Sequence, residues 1–363
     1  VTAASKKTAA GISVIAIAAA SMLGLTWRTW PDAIYDFGSQ LYYPWRMSLG
    51  QHLYTDIAYF NGPLSQWINT IAFRLFGVGL TTLIAVNLAI AAAVALVLWR
   101  LTSFAGVLVF VLVFAFGQYV QIGNYNWVCP YTHEVTHGVA LSLAAVLAAR
   151  RPTPWRVAVT GVLLGLVFLT KAEVFVPAAI AVGVGLCSDR TGRWRGVRIA
   201  IALAMIPVVI AFAILASQSG SAVALRGVLG SWPWIFDRRV SSLAFYRQGL
   251  GVDDLPGNTI RLLAVGAIEL LAAALVVVAG AGPRRWRSAA VVVAALASAA
   301  VLVFWNHVGD LARPWPVFLG GLAVLRLSRL RHWREISWRF RSKPSAEPGR
   351  PRPGPRGAAA HRE

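Results

Sequence analysis

Leu80–Leu98 reads LTTLIAVNLAIAAAVALVL, nineteen residues with no charge. A bilayer core needs roughly 20 apolar residues in a helix, so this stretch is read as a membrane span. It has company: Ala9–Leu25, Val197–Ala216, Ile260–Val278 and Ala289–Phe304 are built alike. Across 363 residues the chain is 57% hydrophobic and only 13% charged, with a mean hydropathy of +0.63. A soluble chain carries about a quarter charged residues. The composition therefore excludes an ordinary cytosolic, nuclear or secreted domain and predicts an all-α integral membrane protein.

Working outward from Leu80–Leu98, apolar runs and charged punctuation predict about ten spans. They lie near 9–27, 79–99, 101–118, 134–149, 156–170, 173–188, 197–216, 259–280, 288–304 and 314–328. Residues 1–328 would form one polytopic domain, with outer loops at 28–78, 118–134 and 217–258. With the amino terminus inside, 24 of the 34 Lys and Arg residues fall on the inner side, and nine of the 14 acidic residues on the outer. The formal charge of +20 is thus a positive-inside signal, and no nucleic-acid partner is needed to explain it. Both termini would be cytoplasmic, in a multi-pass protein of the cytoplasmic membrane. Lys6 and Lys7 before the first run read as an uncleaved anchor. Residues 329–363 form a basic cytoplasmic tail. Arg alternates there with Leu330, Trp333, Ile336, Trp338 and Phe340, suited to anionic lipid, before a disordered Pro- and Arg-rich end. Cys129 and Cys187 fall on opposite sides, so no disulfide between them is expected.

The first outer loop is dense in aromatic residues. Tyr42, Tyr43, Trp45 and Met47 suit a helix lying at the interface, and Pro63–Phe76 has an amphipathic pattern. Around them stand Asp32, Asp36 and Asp56. Asp32, following Pro31, also fits a helix cap, and Asp36 a solvated loop. The second outer loop holds a literal HExxH, His133-Glu134-Val135-Thr136-His137. On a helix this spacing puts two imidazoles on one face beside a glutamate, the zinc-protease arrangement. No third ligand follows at a recognised spacing; the next His or Glu is Glu173.

In order and sidedness, several short pieces resemble the GT-C-type glycosyltransferases, which include protein O-mannosyltransferases and aminoarabinose transferases. The pieces are Asp36, the Gly50–Asp56 stretch GQHLYTD, Gly62-Pro63-Leu64, Leu75-Phe76-Gly77 and Phe168-Leu169-Thr170-Lys171, all within the first 190 residues. The family often has a Lys ahead of its Pro-Pro-Leu, where this chain has Asn61. The resemblance implies transfer of a sugar from a polyprenyl-phosphate donor to a glycan, lipid or protein acceptor at the outer face, usually with inversion. Asp36 would be the general base, Asp32 its alternate and Glu134 a second acid. Lys171, Arg46, Arg74, Arg247 and Arg313 are the outward cations available to the lipid phosphate, while Asp56, His133 and His137 would line the substrate pocket. A divalent metal, if used, would fall to His133 and His137. Lys171 also fits a residue that snorkels to the interface. Two rivals remain open: an HExxH zinc-dependent membrane protease, and a lipid or solute transporter using Glu269 within the eighth span.

Overall fold

A computed structural model describes residues 3–30, 37–102, 104–117, 126–150, 153–187 and 193–249, with scattered positions between 252 and 296. Asp32, Asp36, Glu269 and Arg313, most of the expected spans 259–280 and 288–304, all of 314–328, and the basic tail lie outside the described residues.

The described residues are helical, with no strand beyond one isolated bridge between Leu53 and Ile57. In order they form α1 (Ala3–Leu25), α2 (Phe37–Ser48), α3 (Leu64–Phe76) and α4 (Leu80–Leu101). Next come α5 (Phe104–Val109), continuing as a π-helical turn over Phe110–Ala115, and then α6 (His133–Ala149) and α7 (Pro154–Phe168). α8 (Ala172–Cys187) and α9 (Arg193–Ser219) follow. Four short helices come next: α10 (Ser221–Leu229), α11 (Trp232–Phe236), α12 (Arg238–Ser241) and α13 (Ala244–Gly249). The two helices expected in the first connection are thus α2 and α3.

Among the described residues, two helices are long and apolar enough to cross a membrane: Leu80–Leu101, with hydropathy 2.4, and Trp194–Ser219, with hydropathy 2.9. Only 28% and 17% of their most apolar windows are buried, so most of that surface faces outward. Helices also occupy the other early expected spans, but Ala9–Leu25, His133–Ala149, Pro154–Phe168 and Ala172–Cys187 have 17 residues or fewer. At 1.5 Å per residue the last three fall short of a hydrocarbon core of about 30 Å, as does the apolar part of the 23-residue α1. Ten full spans are therefore more than these helices establish. The fifth expected span shows why: it stops at Phe168 because Leu169 and Thr170 leave the helix and offer their carbonyls to another segment.

Packing follows from where bulk is missing. α7 lies against α9 through Gly161 and Gly165, where an added Cβ would sit 2.4 Å from the Ala200 carbonyl oxygen and 2.1 Å from that of Ala204. Small residues four apart let two backbones approach this closely. α4 turns Leu83, Ile84, Asn87, Ala91 and Val94 inward. Its partners in that core include Trp30, Phe37, Phe110, Trp127 and Val128, so residues from both interhelical connections are buried beside α4.

Candidate functional site

The HExxH pentapeptide opens α6, and its His133, Glu134 and His137 side chains are buried, at 0%, 0% and 2% exposure. A buried carboxylate must be supplied with hydrogen-bond donors. Glu134 receives them from three directions. Its Oε1 accepts from the Tyr59 hydroxyl and, at 2.8 Å, from Gln66 Nε2; its Oε2 accepts from the Thr132 hydroxyl. Tyr59 lies in the connection between α1 and α4, and Gln66 on α3 of that same connection. Burial, and next the Glu134 charge, holds the Tyr59 phenol well above its ordinary value. Tyr54, whose ring lies 5.9 Å from that of Tyr59, is raised for the same two reasons. Tyr43, 5.1 Å from Tyr59, is raised chiefly by burial.

His133 is held just as fully. Its Nε2 lies 3.0 Å from Asn87 Nδ2, an amide nitrogen that also donates to the Val128 carbonyl at 2.9 Å. An amide nitrogen only donates, so Nε2 accepts and the ring hydrogen is on Nδ1. Nδ1 then donates to Gln40 Oε1 at 2.9 Å, which also takes the His133 backbone N–H. Gln40 of α2 thus supplies the cap that Thr132, turned toward Glu134, does not. The start of α2 is near as well: the Phe37 ring lies 6.1 Å from that of His133. His137 differs. Its ring is 5.6 Å from His133, and neither of its nitrogens has a hydrogen-bond partner among the described residues.

A second junction adjoins this one. Gly62 N–H donates to the Thr170 carbonyl at 2.9 Å, and Leu64 N–H to that of Leu169 at 3.1 Å. A Cβ on Gly62 would stand 2.2 Å from the Leu169 oxygen, so the approach requires glycine. On the other side, a Cβ on Gly138, the residue after His137, would stand 2.7 Å from Thr170 Oγ1. Three motif-bearing segments therefore meet: Gly62-Pro63-Leu64, Leu169-Thr170-Lys171 and the HExxH-Gly138 turn. α10, from the connection at 217–258, packs here too. Its Gly227 faces the Tyr54 ring, and Gly230, just beyond it, faces the Asn61–Gly62 backbone.

The remaining expected site residues are spread around this junction. Lys171 lies next to it, its side chain 19% exposed and its Nζ 3.4 Å from the well-exposed Glu173. An ion pair with so exposed a partner is held weakly. Asp56 closes a local turn, its Oδ2 accepting the His52 backbone N–H at 2.8 Å. Within that turn Tyr54 has φ +73°, and its hydroxyl donates to the Asn61 carbonyl at 2.7 Å. Arg46 donates to Gln51 at 2.7 Å and lies over the Tyr42 and Trp45 rings, while Arg247 bonds the Val252 carbonyl. These contacts are local and none reaches Glu134. Gln40, Tyr59, Gln66, Asn87 and Thr132, which complete the site, were not expected from the sequence. One signal was present: Asn87 interrupts the apolar run Leu80–Leu98.

As a metal site the arrangement fits poorly. Among the described residues no three His, Cys, Asp or Glu side chains are grouped as ligands. His133 would have to surrender its Asn87 bond to coordinate through Nε2. Both oxygens of Glu134, the general base a zinc protease would need, are already taken. No protein-family model, curated protein or solved structure matches the chain.

Proposed function

We propose that this protein is a membrane glycosyltransferase that moves a sugar from a polyprenyl phosphate to an acceptor at the extracytoplasmic face. The observation that carries the reading is the meeting of the Gly62-Pro63-Leu64, Leu169-Thr170-Lys171 and HExxH-Gly138 segments, distant in sequence, at one buried junction. A transferase of the GT-C kind needs its first and second outer connections held together, so that base and phosphate contacts can act on one donor.

In this reading Asp36 takes the acceptor hydroxyl proton as that oxygen attacks the anomeric carbon. The new glycosidic bond forms as the bond from that carbon to the phosphate oxygen breaks, and the polyprenyl phosphate leaves. Its negative charge calls for a fixed cation, for which Lys171, next to the junction, is the first choice and Arg247 or Arg313 the alternates. Phe37, the residue that follows Asp36 in the sequence, has its ring 6.1 Å from that of His133. Glu134 is then a positioning residue: enclosed by Tyr59, Gln66 and Thr132, it fastens the first connection to α6. The full complement of about ten spans, cytoplasmic termini and residence in the cell membrane belong to the same proposal. It draws on the positive-inside charge distribution and on the two helices long enough to cross.

The test compares Asp36→Asn, Asp32→Asn and Lys171→Gln for sugar transfer, with membrane insertion checked for each. Asp36→Asn should lose at least ~100-fold in kcat, as removal of a general base does. Lys171→Gln should act mainly on KM, and Asp32→Asn should remain active. Full activity in Asp36→Asn would overturn the assignment.

A further inference from the structure

One side of α3 faces Glu134 through Gln66; the adjacent stripe faces elsewhere. Trp67, Thr70, Ile71 and Arg74, spaced to share one helical face, line a cleft of about 300 Å3. Ile214, Leu215 and Gln218 of α9 and the turn at residues 50–53 line it as well. Among the described residues that line it, none is acidic. Its charge comes from Arg74, one of whose five N–H groups is spent on the Met47 carbonyl at 3.1 Å. His52 adds a ring; the nearby Asp56 carboxylate accepts the His52 backbone N–H with one oxygen and does not line the cleft. The cleft is therefore cationic at one edge and apolar along another. That apolar edge continues outward: Ile71 is 58% exposed and Ile214 40%, and Ile210 and Val209 follow Ile214 down the outer face of α9.

We propose that this cleft seats an anionic bilayer phospholipid, its phosphodiester on the Arg74 guanidinium and an acyl chain along Ile71 and Ile214. A phosphate matches the guanidinium fork. The apolar wall has no use for a free anion but suits a chain already lying against a membrane-crossing helix. The cleft lies at the carboxyl-terminal end of α9, the depth at which a crossing helix meets headgroups. The bound lipid would hold α3, and with it Gln66, at a fixed height. The inference rests on α9 crossing the bilayer, and does not depend on sugar transfer.

The test is native mass spectrometry of the purified full chain in detergent, titrated with phosphatidylglycerol. The wild type should retain this lipid in preference to phosphatidylcholine. Loss of a charge-assisted hydrogen bond weakens binding roughly tenfold or more, the change expected in Arg74→Gln. Ile214→Asp should weaken it similarly, while Arg74→Lys should stay within about threefold and Arg239→Gln, outside the cleft, should match the wild type. If Arg74→Gln loses helical structure, Gln218→Glu places a like charge in the cleft and should give the same loss. Equal retention of phosphatidylcholine, or unchanged binding in Arg74→Gln, would overturn the proposal. So would displacement by inorganic phosphate, which would mark a free-anion site, or by polyprenyl phosphate at lower concentration, which would assign the cleft to a sugar donor. None of these readouts uses transfer, so failure here leaves the enzymatic reading standing, and an inactive Asp36→Asn leaves this one untouched.

Discussion

Glu134 is the residue on which the site turns, and its partners dictate how substitutions behave. Glu134→Ala strands three buried donors, on Tyr59, Gln66 and Thr132, each costing about 1–3 kcal/mol when left unmade. It should lower the thermal midpoint sharply, as read by circular dichroism in detergent. Tyr59→Phe removes one donor and should cost about 1–2 kcal/mol by the same measure. The buried phenols also set an alkaline limit. Tyr59 and Tyr54 have values raised above the ordinary 10.0, so the folded state favours their protonated forms. That contribution is complete below pH 10 and is lost as pH climbs from there toward the folded-state values, where only the unfolded chain ionises. Alkaline difference absorbance should therefore show these tyrosines titrating with unfolding, while exposed ones titrate first; early titration of Tyr59 and Tyr54 would contradict their burial. Cys129, whose thiol burial pushes up to about 12, should resist maleimide at neutral pH until the protein unfolds.

Between elements, contact depends on glycines more than on bulky side chains. Gly62 admits the Leu169 carbonyl, and Gly165 admits that of Ala204. Gly62→Ala should separate the first connection from the α7–α8 turn, reducing any activity of the junction while leaving helical content intact. Gly165→Leu should part α7 from α9 and destabilise the protein by several kcal/mol, as overpacking against rigid backbone does; heat-induced aggregation in detergent would register it. The difference between these two outcomes separates the site from the scaffold. Much of this level was legible in the sequence. The apolar runs at 79–99, 134–149, 173–188 and 197–216 carry α4, α6, α8 and α9, and the aromatic stretch after Trp30 does form two helices. The Gly161–Gly165 spacing was equally readable but makes sense only once α9 is known to lie across it. Composition windows cannot tell a helix that continues from one that unwinds to pair with a loop, which is why Leu169 and Thr170 were counted into a span.

Over the whole molecule, the sequence indicates membrane residence through its charge distribution, and the structure contributes two helices long enough to cross. The polar site was the less legible part. HExxH stands out as a string, yet its chemistry depends on Gln40, Asn87 and Gln66, residues no short pattern selects. With those amides in place the pentapeptide joins α6 to α2, α3 and α4. Topology can be checked independently: with native cysteines replaced, a cysteine at Ser242 should react with impermeant maleimide from outside intact cells, and one at Ser345 only after lysis. Sugar transfer itself is tested most directly by one assay. Purified protein, given polyprenyl phosphate carrying a labelled sugar and a membrane extract as acceptor, should move the label off the lipid, and Asp36→Asn should leave it there. Label that departs equally fast with Asp36→Asn, or that the wild type never moves whichever sugar is supplied, would contradict it.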